Sequence, residues 1–514
     1  MIHDPSTLRR SPDGGSRPGA EFLFALLGFL LAYTTWAWAG LRPSFHWVGV
    51  AAAGVLLAGL FSAGRAAAWR AAARDPVFWL GLAFLGFLFL QWLNAGREQY
   101  FDVGYQRWMY TAPPWPGWPS AYSRADALQM LTWFFPAWTI ALAIRSRIMG
   151  QRDLRRLLMF IVCNAGVLAI FGLVQLASGT RAIYWQHPLN SHFFASFAYG
   201  NHAAPYFVLT GALAAGLLYR EVFDSRSSHA DTPSASRLRH PGRVAVLGPT
   251  LLLCLVGANL GFSRAGVILA WLLGIFVAGF GVALGWRVLK PAGRVNFIAL
   301  TLAVAGSLYF IVAGVGEKGI QSEFTLHVAA PDEAHTLWER VDLELGWRPR
   351  FARAAVAIWR EHPWFGAGGW GYKYRIADHV PESLWKHLKA RGWANVHFDF
   401  LQFLAEFGVV GFGLLLGALG VMAREMCPRR RACGALGLMG LVGLSLVVVF
   451  SVIDLPFRCP AILYTWVALL AALPGACEIP ARAPASAGAG NGRAHGFALS
   501  TSARQGAFPE RTGP

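Results

Sequence analysis

The chain carries apolar blocks long enough to cross a bilayer, and no other feature restricts its fold as much. A transmembrane helix needs about 20 predominantly apolar residues. Blocks near that length lie at 21–40, 45–63, 77–94, 127–144, 155–177, 202–219, 244–262, 265–285, 295–315, 403–423, 433–453 and 459–474, the pair 244–262 and 265–285 being separated only by "SRAG". Composition agrees: 55% of the 514 residues are hydrophobic and 14% charged, where soluble domains carry about 25% charged residues. The expectation is an all-α integral membrane protein of about 12 transmembrane helices. It divides into an N-terminal segment (1–20), nine spans (21–315), a large helical outer loop (316–402), three spans (403–474) and a tail (475–514).

The formal net charge of +18 raises the question of nucleic acid, and the placement of the charges answers it. Arginines gather in "GRAAAWRAAARD" (64–75), "RSRIMGQRDLRR" (145–156), "RVLKPAGR" (287–294) and "REMCPRRRA" (424–432). These are short, alternate loops between spans, as the positive-inside rule expects of cytoplasmic segments. The segment 316–402 instead balances eleven Lys or Arg against eleven Asp or Glu, which suits a translocated region. Both termini are then cytoplasmic. No basic groove or nucleic-acid reader motif is present, so no nucleic-acid partner is expected. The six cysteines form no CxxC pair and read as small apolar residues, not as a disulfide framework or zinc site. The first 20 residues read as an uncleaved start, and the Ala/Gly/Pro-rich tail as disordered.

The chemistry-bearing residues sit in the outer loops. The loop 95–126 contains "YFDVGYQRWMYTAPPWPGWPSAY", read either as an interfacial aromatic belt or as a platform for a sugar or lipid head. Gly200, Asn201 and His202 stand where a span begins; Asn201 can cap that helix, and His202 can face a site. In "NLGFSRAGVILAWLLG" (259–274), Arg264 is flanked by Ser263 and Gly266. A charge near the membrane is costly and faces a polar cavity or a partner. An anionic ligand is the simplest reason for one on the outer side, because a guanidinium fork fits phosphate oxygens. Residues 350–361 read as an amphipathic helix ended by Pro363. "HPWFGAGGWGY" follows, its glycines Gly366, Gly368, Gly369 and Gly371 allowing close backbone approach. Arg348, Arg350, Arg353 and Arg360 offer further anion contacts. Finally "NVHFDFLQFLAEFGVVGFG" places Asn395, His397, Asp399 and Gln402 at the entrance to a span.

"GNHAAPY", "FSRAG", "RPRFARAAVAIWREHPWFGAGGWG" and "NVHFDFLQFLAEFGVVGF", in that order, resemble the O-antigen ligase and polymerase family. The likeness is strongest over 191–423. It departs from the family pattern at Phe398, where an Asn often stands, and in "GNHAA", which is shorter than the usual motif. The resemblance implies a helical membrane glycosyltransferase (GT-C-like) of the bacterial inner membrane, working at the periplasmic face. It would transfer a glycan from a polyprenyl diphosphate carrier to a hydroxyl of a lipid or glycan acceptor. In that reading His397 is the general base, and Asp399 orients the imidazole or an acceptor hydroxyl. Arg264 and Arg348 clamp the diphosphate; Arg350, Ser263, Gln402, Asn201 and His202 are further substrate-binding candidates. No Asp/Glu set has metal spacing, so no metal and no cofactor are expected. A polymerase of the same family, a polysaccharide flippase and a non-catalytic scaffold are the alternatives.

Overall fold

The computed structural model describes residues 18–61, 66–96, 99–102, 107–146, 148–189, 192–224, 240–288, 291, 294–295, 306, 348–381, 395–426, 434–477 and 513. Nearly all of the expected span 295–315, much of the loop 316–402, the N-terminal segment up to 17 and nearly all of the tail lie outside these residues. Met1–Glu478 forms one compact unit and Ile479–Pro514 another; the helices below belong to the first.

In chain order the helices are α1 (Pro18–Trp36), α2 (Pro43–Phe61), α3 (Ala66–Ala73), α4 (Pro76–Leu93), α5 (Arg124–Arg145), α6 (Gln151–Ala177), α7 (Gly200–Tyr219), α8 (Pro241–Asn259), α9 (Arg264–Val288), α10 (Arg348–Glu361), α11 (Gly371–Arg375), α12 (Asp399–Arg424), α13 (Gly434–Phe450) and α14 (Pro460–Ala476). Among the described residues nine of these are long and apolar enough to cross a membrane, and α13 and α14 are shorter apolar helices. The protein is thus an all-α, multi-pass membrane protein. Two short antiparallel hairpins lie outside the sequence expectation: β1 (Gln99–Asp102) with β2 (Arg107–Tyr110), and β3 (Ala182–Ile183) with β4 (His187–Pro188).

Helices apolar on every side belong in the interior of a bundle, and α7 and α14 are buried along almost their whole length. Glycines bring α13 onto α7: a Cβ on Gly443 would lie 2.8 Å from Ala212 Cβ, and one on Gly216 3.1 Å from Leu436 Cα, the close approach that small residues permit between membrane helices. Around this centre α2, α4, α9 and α12 expose apolar side chains such as Trp47, Leu82, Ile275 and Leu416, a surface suited to lipid.

The two ends of the bundle differ. At one end the arginine-rich loops meet: Arg145 pairs with Asp75 at 2.6 Å and Glu425 at 2.9 Å, Arg156 with Glu21 at 2.7 Å, and Arg243 with Glu221 at 2.9 Å. The other end carries α10, α11, the starts of α7 and α12, and the turn between α13 and α14.

α12 starts at Asp399, four residues before the expected boundary at 403, and it is interrupted. Gly408 has φ 61° and ψ −172°, a combination essentially reserved for glycine. The break strips helical partners from the amides that follow, and a buried amide needs another acceptor. The strap 363–368 supplies it: Val409 N donates to Pro363 O at 2.9 Å and Val410 N to Trp364 O at 3.0 Å. In return Ala367 N donates to Ala405 O at 2.9 Å and Gly368 N to Glu406 O at 2.8 Å. The glycines of "HPWFGAGGWGY" therefore bring the backbone close to other protein segments. A Cβ on Gly366 would lie 2.3 Å from Glu406 backbone, and one on Gly368 2.5 Å from Ala121 Cα.

Candidate active site

The site begins where the chain enters α12. Phe398 is the extended N-cap residue, and His397 before it has φ 55°. A left-handed conformation costs a non-glycine residue roughly 1–2 kcal/mol, and it persists where surroundings fix it. They do so on both sides. Behind His397, Val396 N donates to Gln402 Oε1 at 3.1 Å, and Gln402 Nε2 donates to Asn395 Oδ1 at 3.3 Å. Ahead of it, Asp399 N donates to Ser451 O at 2.9 Å, and Asp399 Oδ2 accepts from Phe457 N at 2.7 Å. The segment 395–399 is thereby stitched to 451–458, the turn between α13 and α14.

That turn contributes Asp454, around which the site is organised. Its Oδ1 lies 3.3 Å from His397 Nδ1 and accepts from Leu455 N at 2.9 Å. Its Oδ2 accepts from Asn201 Nδ2 and from Tyr199 Oη, the latter at 3.3 Å. Asn201 also donates to Tyr199 Oη at 2.7 Å. Asp454 is 1% exposed and His397 29% exposed, so the carboxylate is sealed and the imidazole is reachable. Burial works against ionisation of Asp454. The hydrogen bond and charge of His397, with His202 and Arg348 beyond, outweigh it and hold the carboxyl below its ordinary value. Tyr199 is pushed the other way, by burial and by Asp454, and stays protonated as a donor. An ionised carboxylate only accepts, so Nδ1 of His397 carries the proton in this pair, and a neutral ring presents its lone pair at Nε2.

Beneath this pair lies a second, fully buried set. Arg458 Nη2 donates to Glu406 Oε2 at 2.5 Å, and its Nε stands 3.9 Å from Asp399 Oδ1; Arg458 is 3% exposed and both acids are at 0%. Glu406 Oε1 accepts from Gln402 Nε2 at 2.9 Å. The guanidinium carbon sits 4.7 Å from the Trp370 ring centroid and 4.5 Å from that of Phe403. Arg458 thus joins the α13–α14 turn, α12 and the residue just before α11. Gln402 carries that order to the backbone preceding His397.

The structure places the residues singled out from sequence as follows. His397, Asn201 and Arg348 converge on Asp454, with Arg348 acting through charge. His202 is buried beside them, its Nε2 3.1 Å from Leu455 O. Gln402 and Asp399 are buried: the carboxylate within reach of His397 is Asp454, and Asp399 accepts from Phe457 N and stands 3.9 Å from Arg458. Ser263 and Arg264 open α9. Ser263 Oγ accepts from Gly266 N at 3.3 Å, and the turn presses on the start of α7, where a Cβ on Gly200 would lie 2.1 Å from Gly261 O. Arg264 is half-buried there, and Arg350 is exposed on α10. Sequence reasoning missed Asp454, Tyr199, Glu406 and Arg458. The signal for two of them was present: Asp454 and Arg458 are the only Asp, Glu, Lys or Arg between 434 and 477. Among the described residues no group of three His, Cys, Asp or Glu is arranged to hold a metal ion.

Fold and site together define a multi-pass membrane protein with a His–Asp pair and arginines at one end of its bundle. Residues 249–416 match the family model described as O-antigen ligase, and this supports membership of that enzyme family over that part of the chain. The matched stretch holds Ser263, Arg264, Arg348, His397 and Glu406; Asp454 and Arg458 lie beyond it. No curated protein matches the chain.

Proposed function

We propose that the protein is a metal-independent membrane glycosyltransferase of the O-antigen ligase kind, which moves a glycan from a polyprenyl diphosphate to an acceptor hydroxyl at the periplasmic face. The observation that carries this reading is the pair His397 Nδ1–Asp454 Oδ1 at 3.3 Å, sealed below and reachable above. With Nδ1 committed to Asp454, Nε2 takes the proton of the acceptor hydroxyl as its oxygen attacks the anomeric carbon. Asp454 fixes the tautomer and stabilises the imidazolium that forms, the part a buried aspartate plays beside a catalytic histidine. The bond from the anomeric carbon to the diphosphate oxygen breaks, and its electron pair leaves with the diphosphate. Arg348 beside Asp454, and Arg264 at the head of α9, are suited to hold the charge that develops there.

Placement supports the rest. A donor with its lipid tail in the bilayer presents its diphosphate at the depth where α12 and α7 begin. The arginine-rich end lies opposite and fits the cytoplasm. A flippase would want ionisable groups near the midplane of its spans, whereas Asp399, Glu406, Asp454 and Arg458 gather at one end. The test is reconstitution in nanodiscs with a polyprenyl-diphosphate-linked glycan and, separately, lipid-linked-glycan, lipid A-core and protein acceptors. Transfer to one acceptor, lost in His397→Asn, is the expected result. No product with any acceptor would remove the transferase reading.

A further inference from the structure

A groove of about 530 Å³ opens at the site end of the bundle, between the loop 110–122 and the strap 361–367. Its lining includes none of His397, Asp454, Arg348 and Arg264, and the reaction proposed above does not use it. Its size is that of a small-molecule site. Trp118 and Trp364 line it at 61% and 65% exposed. The loop bearing Trp118 is held in shape by buried Asn94, whose Nδ2 donates to Trp115 O at 2.9 Å and Pro119 O at 3.1 Å and whose Oδ1 accepts from Trp115 N at 2.7 Å. Trp364 is fixed by the backbone zipper to Val410.

The polar groups of the groove select the ligand. Among the described residues its lining includes Glu361, His362, Tyr110 and Tyr122 and no Lys or Arg. Arg375, 3.4 Å from His362 Nε2, is engaged by Glu361 at 2.6 Å, Asp378 at 2.9 Å and Tyr122 Oη at 2.9 Å. Burial and Arg375 push His362 below its ordinary value, so it is uncharged at neutral pH. An anionic lipid head finds no charge partner among these described lining residues. A hydroxylated ring with apolar C–H faces does: its faces fit against indole, and its hydroxyls can donate to the Glu361 carboxylate and pair with His362 and the tyrosines. An interfacial belt explains tryptophans at this depth, but it does not call for a preformed groove with a carboxylate and an imidazole on one wall.

We propose that this groove binds uncharged pyranose units of a glycan, stacked on Trp118 and Trp364, at a position separate from the transfer site. The proposal rests on the glycan-transfer reading for the source of the sugar, and binding is measured without turnover. The full chain is placed in phosphatidylcholine nanodiscs, and neutral tetrasaccharides of glucose, galactose, mannose and rhamnose are titrated singly, free and on a dodecyl aglycone. Calorimetry reads affinity, and saturation-transfer NMR reads the sugar face. At least one sugar binds saturably, and Trp118→Ala and Trp364→Ala each weaken it by roughly tenfold, the scale of one lost aromatic contact. Trp79→Ala, an equally exposed tryptophan at the opposite end, leaves it unchanged. Binding in the free form marks a glycan chain as the source, and binding only with the aglycone marks a glycolipid head. No saturable binding, binding indifferent to both tryptophans, or displacement of the sugar by glycerol phosphate would overturn the proposal. Sugar binding of this pattern in a protein that transfers no glycan would remove the transferase reading and leave the groove; normal transfer with no sugar in the groove would do the reverse.

Discussion

Arg458→Met tests whether the buried set beneath the histidine acts as one unit. The substitution keeps an unbranched apolar stem among Met130, Phe403 and Trp370 and removes the guanidinium hydrogen-bonded to Glu406. Glu406 and Asp399, both at 0% exposure, are then left as buried acids without their cation. Removing one partner of a buried ion pair costs about 3–5 kcal/mol, and two lost cation–π contacts add about 0.5–2 kcal/mol each. Glu406→Gln alone leaves the arginine with only the more distant Asp399, 3.9 Å away, and falls in the same range. Joining the two should recover most of the loss, because glutamine at 406 can still accept from Gln402 and no charge is stranded there; replacing a whole buried pair is often near neutral. The assay is reversible unfolding of the nanodisc or mixed-micelle protein, read as a double-mutant cycle. Arg458→Met as stable as the parent, or a double variant no better than either single one, would refute the reasoning.

Three further outcomes follow from the same geometry. Gly408→Ala should abolish folded protein or cut its yield severely, since φ is 61° and the added Cβ would lie 2.4 Å from Trp364 backbone; normal yield by size-exclusion chromatography would show that the strap crossing is loose. Asp454 has a depressed pKa, so its stabilising contribution is complete above the ordinary carboxylate pKa of 3.8 and is lost as pH falls through its own lower value. Asp454→Asn should therefore lower the melting temperature at pH 6, and that difference should shrink as pH falls below 3.8; a difference that persisted undiminished at lower pH would contradict the assignment. Glycan transfer should survive EDTA, because arginines supply the charge; loss of activity restored by Mg²⁺ or Mn²⁺ would count against the mechanism.

What could be read from the sequence, and what could not, divides along physical lines. The spans are legible because each apolar block declares itself without reference to the others. His397, Arg348 and Asn201 are legible as polar residues at the outer ends of such blocks. Asp454 is not: in "SVIDLPFRCP" it looks like an ordinary turn acid, and its role appears only when α7 and α12 bring Asn201 and His397 to it. Asp399, read as orienting the imidazole or an acceptor hydroxyl, makes its contacts with Phe457 and Arg458 from the α13–α14 turn, which nearness in sequence to His397 does not announce. The glycine-rich strap announced a close backbone approach, but its partner, α12 at the Gly408 break, is a tertiary fact. Nor does that break announce itself, because glycine is common in membrane helices that continue through it.

The central claim is that His397, oriented by Asp454, removes the acceptor proton, and single-turnover transfer with donor binding measured in parallel tests it most directly. His397→Asn is the informative variant, because asparagine tolerates the left-handed backbone at this position and isolates the chemistry from the fold. Donor affinity should stay near that of the parent while the rate falls by about 10²–10⁴-fold and recovers in part as pH is raised. Asp454→Asn should also slow the chemical step, whereas Arg348→Ala should weaken donor binding as well. Full turnover by His397→Asn, or loss of donor binding as its only defect, would contradict the account.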